Sequence, residues 1–203
     1  MGLKLMIYDR TCTHTGRLRV GLSHSWVVGA RIYAATGSLH GASGASTWEE
    51  ALAWLGEADE PIDEIQFWGH GHWGMALIDR RPLDASALAR GHAWRPALER
   101  VRERMAPDAL WWFRTCDTLG SARGHDFARR WSDFFGRPVA GFTHIIGPWQ
   151  SGLHRLQPGE QPHWDPTEGL AAGTAESPER STWSWPGRPN TIHCLRSDVP
   201  AGW

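Results

Sequence analysis

The chain has few of the features that mark membrane, secreted or nucleic-acid-binding proteins. No run of residues approaches the roughly 18 consecutive apolar side chains of a membrane helix. The apolar N-terminus ends at Tyr8 and is followed at once by Asp9 and Arg10, so we expect no signal peptide. The 21 basic and 22 acidic residues give a net charge of -1, which offers no electrostatic footprint for nucleic acid or an anionic membrane. We therefore expect a cytoplasmic protein with neither of these as a partner.

Cysteine is scarce as well. The three cysteines, Cys12, Cys116 and Cys194, are odd in number and widely spaced, which fits neither a disulfide framework nor a zinc knuckle. At least one thiol is expected to be free, and we predict no cofactor and no metal. A chain of 203 residues suits one α/β domain, or one compact domain with a long tail.

Apolar runs alternate with amphipathic segments over residues 1–147, which we predict to be the α/β core. Most strands and helices are predicted from hydrophobic period and capping residues: strands at Leu3–Tyr8, Trp26–Ala34, Ile62–Trp68, Met75–Ile78, Ala109–Phe113 and Val139–Ile146, and helices at Thr47–Leu55, Trp94–Met105 and Gly120–Phe135. The Gly- and Ser-rich run 37–46 is predicted to be a loop. This alternation predicts a mostly parallel sheet covered on both faces.

Residues 148–203 are rich in tryptophan, proline and glycine, and we predict an extension that packs on or lines the rim of the site. Of the 14 tryptophans in the chain, Trp149, Trp164, Trp183 and Trp185 lie in this irregular part, where large aromatic residues often line a binding groove. The segment 169–180 is predicted to be exposed and mobile.

Two reactive residues follow predicted core strands. His70 follows the strand that ends at Trp68, and Cys116 follows the strand that ends at Phe113. Parallel strand ends share one edge of a sheet, and neighbouring strands lie about 5 Å apart. If these two strands are neighbours, an imidazole and a thiol come within reach of one substrate. The N–H groups of Gly71 and Cys116 are candidate donors to an oxyanion.

The sequences FWGHG and LWWFRTC, each an apolar strand ending in the reactive residue, resemble those of caspase-like cysteine peptidases. The resemblance covers residues 62–147 and extends to caspase-like domains of large bacterial surface proteins. It implies a three-layer caspase-like α/β fold and a thiol endopeptidase that acts on a protein or peptide. His70 would be the catalytic histidine, Gly71 the glycine after it, and Cys116 the nucleophile that forms an acyl-enzyme. Relatives are often restrained precursors, which implies processing, with 169–180 as a candidate site, or a regulatory partner.

The same resemblance implies that the residue two positions before the cysteine lines the pocket for the side chain preceding the cleaved bond. That residue is Arg114, which departs from the acidic residue or glutamine of the relatives. If its guanidinium faces the pocket, it favours an acidic substrate residue through a bidentate pair. If it pairs instead with Asp117 or Asp126, the pocket is neutral.

Other interpretations of these residues stay open. His72 competes with His70 for the catalytic role, or contacts substrate. The His-x-His spacing also fits a metal hydrolase, with ligands drawn from Asp117, His125 and His144. A catalytically inactive caspase-like binding module, holding a partner on residues such as Trp149, is a further alternative. Cysteine is often buried for packing alone, and we expect that role for Cys12 and Cys194.

Overall fold

A computed structural model describes residues 2–14, 21–200 and 202–203. Its strands, in chain order, are β1 (Leu3–Asp9), β2 (Gly41–Ala45), β3 (Ile62–Trp68), β4 (His70–His72), β5 (Met75–Ile78), β6 (Arg81–Asp84), β7 (Met105–Arg114), β8 (Val139–Phe142), β9 (Trp149–Gln150), β10 (Leu153–Leu156), β11 (Leu170–Gly173), β12 (Pro178–Ser181) and β13 (Ile192–His193). Its helices are α1 (Leu22–Ala35), α2 (Trp48–Gly56), α3 (Arg95–Arg104) and α4 (Ser121–Phe135), with a short 3-10 helix at Ala85–Leu88. None of the helices within the described residues is long and apolar enough to cross a membrane.

Six strands form the central sheet in the order β10-β8-β7-β3-β1-β2. The pairs from β8 to β2 are all parallel, and β10 is antiparallel to β8. The expected mostly parallel α/β architecture is confirmed. Because β10 lies within residues 148–203, this part of the chain supplies one edge of the main sheet.

Alternation along the strands sends side chains into two separate cores. Towards the ends of β3 and β7, odd-numbered residues such as Phe67 and Phe113 face one layer, where they pack against apolar side chains of α2, α3 and α4. Even-numbered residues face the other layer, where Trp68 packs near Tyr33 of α1 and Trp112 near Ile192. Both faces are covered as expected, but on the second face the cover is one helix and C-terminal chain.

The prediction of a strand at 26–34 is wrong, because these residues belong to helix α1. Trp26, Ala30 and Tyr33 pack on the second face of the sheet, and their spacing of four and three residues is that of a helix. The β-branched residues that suggested a strand include Val28, which is exposed. A Cβ on Gly29 would lie 2.9 Å from the Trp68 ring, so the glycine allows α1 to approach the sheet closely.

Two other segments are more regular than expected. The predicted loop 37–46 contains strand β2, which pairs with β1. Gly44 suits that position because a Cβ would lie 2.7 Å from the Tyr8 ring. The segment 169–180, expected to be mobile, forms most of the hairpin β11–β12. Elsewhere the capping signals are confirmed: Thr47 accepts a hydrogen bond from the backbone N–H of Glu50, and Gly136 ends α4 with φ of 61°.

Candidate active site

The ends of β3 and β7 place His70 and Cys116 at one edge of the sheet. Trp68 and Arg114 are the last paired residues of these parallel neighbours. His70 and Cys116 each follow their paired residue by two positions. The expectation that both residues lie beyond the carboxyl ends of adjacent strands is confirmed.

Gly71 packs directly against the loop that carries Cys116. A Cβ on Gly71 would lie 2.7 Å from the carbonyl oxygen of Cys116 and 2.6 Å from the Cβ of Thr115, and it would also collide with the hydroxyl of Thr118. A second contact joins the same two segments, since the N–H of Gly74 donates to the carbonyl of Thr118 at 3.0 Å. Only glycine fits between the histidine strand and the cysteine loop. The oxyanion role of the Gly71 and Cys116 N–H groups stays a prediction.

Burial dominates the electrostatics of Cys116. Burial raises the pKa of the thiol, and the neighbouring Asp117 carboxylate raises this pKa further. A hydrogen bond from the backbone N–H of Ile146 lowers it, and the net pKa is about 11. The resting thiol is therefore neutral at pH 7. Attack on a substrate requires a base that removes the thiol proton during the reaction.

His70 lies close to a different thiol in this structure. Its Nε2 is 3.3 Å from the Sγ of Cys12, three residues beyond the end of β1. The ring also meets Trp26 edge-on, with centroids 5.7 Å apart. Within the described part of the chain, no hydrogen bond joins His70 to Cys116. The sequence predicted a packing role for Cys12 and gave no sign of this contact. The contact arises because β1 and β3 are adjacent strands.

His72 has a carboxylate partner. Its Nδ1 lies 3.5 Å from Oδ2 of Asp117, and about half of the His72 side chain is exposed. The imidazole also lies over Trp73, with ring centroids 3.9 Å apart. Asp117 is 2% exposed, and its Oδ2 also accepts a hydrogen bond from the hydroxyl of Ser181. The sequence shows an aspartate directly after the cysteine, but only the fold shows that it faces His72.

Arg114 does not line an open pocket. It is 2% exposed, and its guanidinium donates to the hydroxyl of Tyr33, to Gln150, and to the carbonyls of Cys194 and Arg196. The guanidinium carbon also lies 4.4 Å from the ring centroid of Trp68. Neither expected arrangement is present, because Arg114 faces no substrate pocket and pairs with neither carboxylate considered for it. Its acceptors come instead from α1 and from residues 148–203.

The tryptophans of residues 148–203 divide into two groups. Trp164 is buried, stacks on His154 with centroids 4.6 Å apart, and donates to the carbonyl of Leu119, so it serves packing. Trp183 and Trp185 are each 68% exposed, and Trp149 is 41% exposed. We call these three tryptophans, Trp149, Trp183 and Trp185, the exposed aromatic edge.

The exposed aromatic edge adjoins Cys116 through the chain after β8. Trp183 forms a parallel bridge with Ile145, and the residue before Ile145, His144, accepts a backbone hydrogen bond from Asp117, which follows Cys116. Trp149 accepts a backbone hydrogen bond from Gly147 at 3.0 Å. Trp149 therefore lies on the same loop, and its role in substrate binding stays a prediction.

The histidines and carboxylates considered for a metal site are not assembled into one. Among the side chains that the structure describes, no group of three His, Cys, Asp or Glu residues could hold a metal ion. His144 lies just beyond β8, buried, with its ring against the hydroxyl of Thr143. His125 lies beside Trp164. Of the proposed ligand set, the structure brings together only His72 and Asp117.

No protein-family model matches the chain, and a search of curated proteins also finds no match. The functional argument therefore depends on the geometry of the site and on the sequence resemblance at the two strand ends.

Proposed function

We propose that this protein is a cysteine peptidase in which Cys116 attacks the peptide carbonyl and His70 is its proton-transfer partner. The observation that carries the proposal is the position of these two residues. Trp68 and Arg114 are paired at the ends of adjacent parallel strands, and His70 and Cys116 lie two residues beyond Trp68 and Arg114, respectively. The contact of Gly71 with the Cys116 loop adds to it. A partly buried thiol, an imidazole and a glycine-lined backbone at one sheet edge are the groups that acyl transfer requires.

The high pKa of Cys116, about 11, determines the order of events. His70 takes the thiol proton as sulfur attacks, and the carbonyl oxygen is stabilised by the N–H groups of Gly71 and Cys116. One such donor typically contributes about 3 to 4 kcal/mol to transition-state stabilisation. The C–N bond then breaks, leaving an acyl group on sulfur, and water hydrolyses this thioester. To act this way, His70 exchanges its contact with Cys12 for one with Cys116.

The fold supports the finer assignment to a caspase-like architecture. A sheet with five parallel strands and one antiparallel edge strand, with helices on both faces, agrees with what the resemblance at 62–147 implies. The proposed histidine and cysteine also occupy the strand ends at which the resemblance places them. Fold likeness by itself does not fix activity, so the proposal depends on the site.

The exposed aromatic edge suits an extended peptide as substrate. In the bridge between Ile145 and Trp183, the N–H of Ile145 donates to Thr182 and the N–H of Ser184 donates to Ile145. Trp183's own N–H and C=O therefore point away from Ile145, as strand geometry requires. A peptide can pair with these groups as an added strand. Because Arg114 is enclosed, we propose no preference for an acidic residue.

A peptide-library digestion tests the proposal, with products identified by mass spectrometry. Wild type should cleave a subset of peptides, and Cys116→Ala and His70→Gln should each lose at least about 1000-fold in kcat/KM, as loss of a nucleophile or its base does. Cys194→Ala, which removes a thiol elsewhere, should cleave like wild type. Undiminished cleavage by Cys116→Ala would contradict the proposal.

A second candidate nucleophile is Cys12, because its thiol is the one in contact with His70 at 3.3 Å. If Cys12 were the nucleophile, Cys12→Ala would abolish cleavage and Cys116→Ala would not. The same digestion therefore separates the two thiols.

The alternative without catalysis is a binding module that uses the exposed aromatic edge. Trp183 and Trp185, each 68% exposed, are large apolar surfaces of the kind that mark interaction sites. This alternative predicts that wild type cleaves no peptide in the library, yet retains some of them in pull-down. Trp183→Ala and Trp185→Ala would then abolish retention.

A further inference from the structure

Asp117 is held in an uncommon backbone conformation by two backbone hydrogen bonds. The residue adopts φ of 40°, in the left-handed region where non-glycine residues are uncommon. Its N–H donates to the carbonyl of His144 at 3.0 Å, and its own carbonyl accepts from Gly120 at 3.0 Å. Such strained conformations cluster at functional sites. These bonds turn the side chain of the residue after Cys116 toward β4.

The carboxylate of Asp117 is incompletely satisfied. Oδ2 accepts a hydrogen bond from the hydroxyl of Ser181 and faces His72. Oδ1 is buried and has no hydrogen-bond partner in the described part of the chain. An under-bonded buried carboxylate costs free energy unless a cation or donor stabilises it. Among the described ion pairs, its partner is His72.

His72 lies between this carboxylate and solvent. Nδ1 faces Asp117 and about half of the side chain is exposed, which leaves Nε2 as the nitrogen available to a substrate. His70 and His72 are two residues apart on β4, so both project from the same face of the strand. His70 is directed to Cys12 and His72 to Asp117. The two histidines therefore have different neighbours on one sheet edge.

We propose that His72 is a second catalytic residue, which protonates the leaving amine, and that Asp117 is the positioning residue that orients it. This inference rests on the proposed peptidase function and divides the proton transfers between the two histidines. A base oriented by a buried third group is a recurrent arrangement in acyl transfer.

With the proton transfers divided in this way, the thiol and both histidines return to their starting protonation states after one turnover. The Cys116 thiol gives its proton to His70, the C–S bond forms, and protonated His72 gives the Nε2 proton to the amine as the C–N bond breaks. Neutral His72 then takes a proton from the attacking water. As the thioester breaks, protonated His70 returns its proton to the Cys116 sulfur.

Leaving-group dependence tests this assignment. An alkyl or aryl amide needs its nitrogen protonated to leave, whereas a 4-nitrophenolate leaves without a proton. We would compare a 4-nitroanilide and a 4-nitrophenyl ester of the same peptide, chosen as the sequence cleaved fastest in the library. The parameter measured is kcat/KM, which reports acylation, after subtraction of the rate with Cys116→Ala.

His72→Gln should lower kcat/KM for the anilide by about 100-fold, the lower end of general acid catalysis, and for the ester by less than about threefold. Asp117→Asn, which keeps a residue tolerant of the left-handed region, should show the same selectivity with a smaller loss. It should add no further loss in a His72→Gln background. His70→Gln should slow both substrates, and His24→Gln, an exposed histidine on α1, should slow neither.

Equal losses on both substrates in His72→Gln, or no loss on either, would overturn the inference while leaving the Cys116 mechanism intact. So would additive losses in the double variant. If wild type hydrolyses neither substrate faster than Cys116→Ala does, the proposed function itself fails.

Discussion

The imidazole of His70 contacts the thiol of Cys12, with Nε2 and Sγ 3.3 Å apart. Cys12 follows β1 and His70 follows β3, and these two strands are paired in parallel. Cys116 follows β7, which is paired with β3 on its other side. His70 thus lies between two thiols, one from each neighbouring strand, and its contact with Cys12 must be broken when it serves Cys116.

Removal of the Cys12 thiol should therefore increase activity. A hydrogen bond contributes about 1 kcal/mol, so Cys12→Ala should raise kcat/KM by about fivefold in a peptide-cleavage assay. Cys12→Ser restores a hydroxyl that can hold His70, and this variant should stay within about twofold of wild type. A large loss of activity in Cys12→Ala would indicate that Cys12 has the catalytic role instead.

Gly71 should not tolerate a side chain. A Cβ would lie 2.7 Å from the Cys116 carbonyl oxygen, so Gly71→Ala must push the histidine strand away from the cysteine loop. We expect at least about a 100-fold loss of kcat/KM, since displacements near 1 Å have effects of this size. Gly91→Ala is the matched control, because no atom lies within 4 Å of a Cβ built there. Equal activity of the two variants would contradict the close contact.

Arg114 should matter for stability and not for substrate choice. Arg114→Met removes the donor to the Tyr33 hydroxyl, to Gln150 and to the carbonyls of Cys194 and Arg196, and it removes stacking on Trp68. Loss of bonds to a charged group should lower the free energy of unfolding by about 3 kcal/mol or more, measured by urea denaturation. Arg31→Met, at an exposed position of α1, should change it by less than about 0.5 kcal/mol.

If Arg114 bound substrate instead, a different result would follow. Arg114→Met would then be about as stable as the Arg31→Met control, and its library profile would lose peptides with an acidic residue before the cleaved bond.

His144 should make the fold acid-sensitive. Burial and, to a smaller extent, the Arg188 charge lower its pKa while the Glu168 charge raises it, and the net pKa is about 4. Because the folded-state pKa lies below the ordinary value near 6.5, the stabilisation is fully present above about pH 6.5. It is lost as the pH falls to about 4, which corresponds to roughly 3 kcal/mol.

Urea denaturation at a series of pH values measures this dependence. His144→Gln keeps a polar side chain without a titrating ring, so its free energy of unfolding should fall less steeply between pH 6.5 and 4 than that of wild type. Identical slopes for the two proteins would rule out His144 as the source.

The strands that hold the site were predictable from the sequence, because β3 and β7 each have a cluster of large apolar residues at or near the end, followed closely by His70 and Cys116. The shared edge at their carboxyl ends then followed from the rules for parallel sheets, whereas the pairing of β3 with β7 came from the structure. Helix α1 was mistaken for a strand because Val27, Val28 and Ile32 favour β structure. Tertiary packing of Ala30 and Tyr33 against the sheet outweighs that preference.

The partners of the site residues were not predictable in the same way. Cys12 contacts His70 across 58 positions of the chain, and Arg114 reaches carbonyls that are 80 and 82 residues away. Such contacts depend on how the layers pack and have no local signal in the sequence. For the Asp117–His72 pair, the sequence shows only that an aspartate follows the proposed nucleophile. The structure was needed to show that this aspartate faces His72.

The most direct test of the central claim is to identify which residue carries the acyl group during turnover. Wild type would be mixed with the 4-nitrophenyl ester of its best library peptide, quenched in acid within milliseconds, and mapped by peptide mass spectrometry. The account predicts an acyl adduct on Cys116 that is absent in Cys116→Ala and decays as product forms. An adduct on Cys12, or product formation with no adduct on any cysteine, would contradict it.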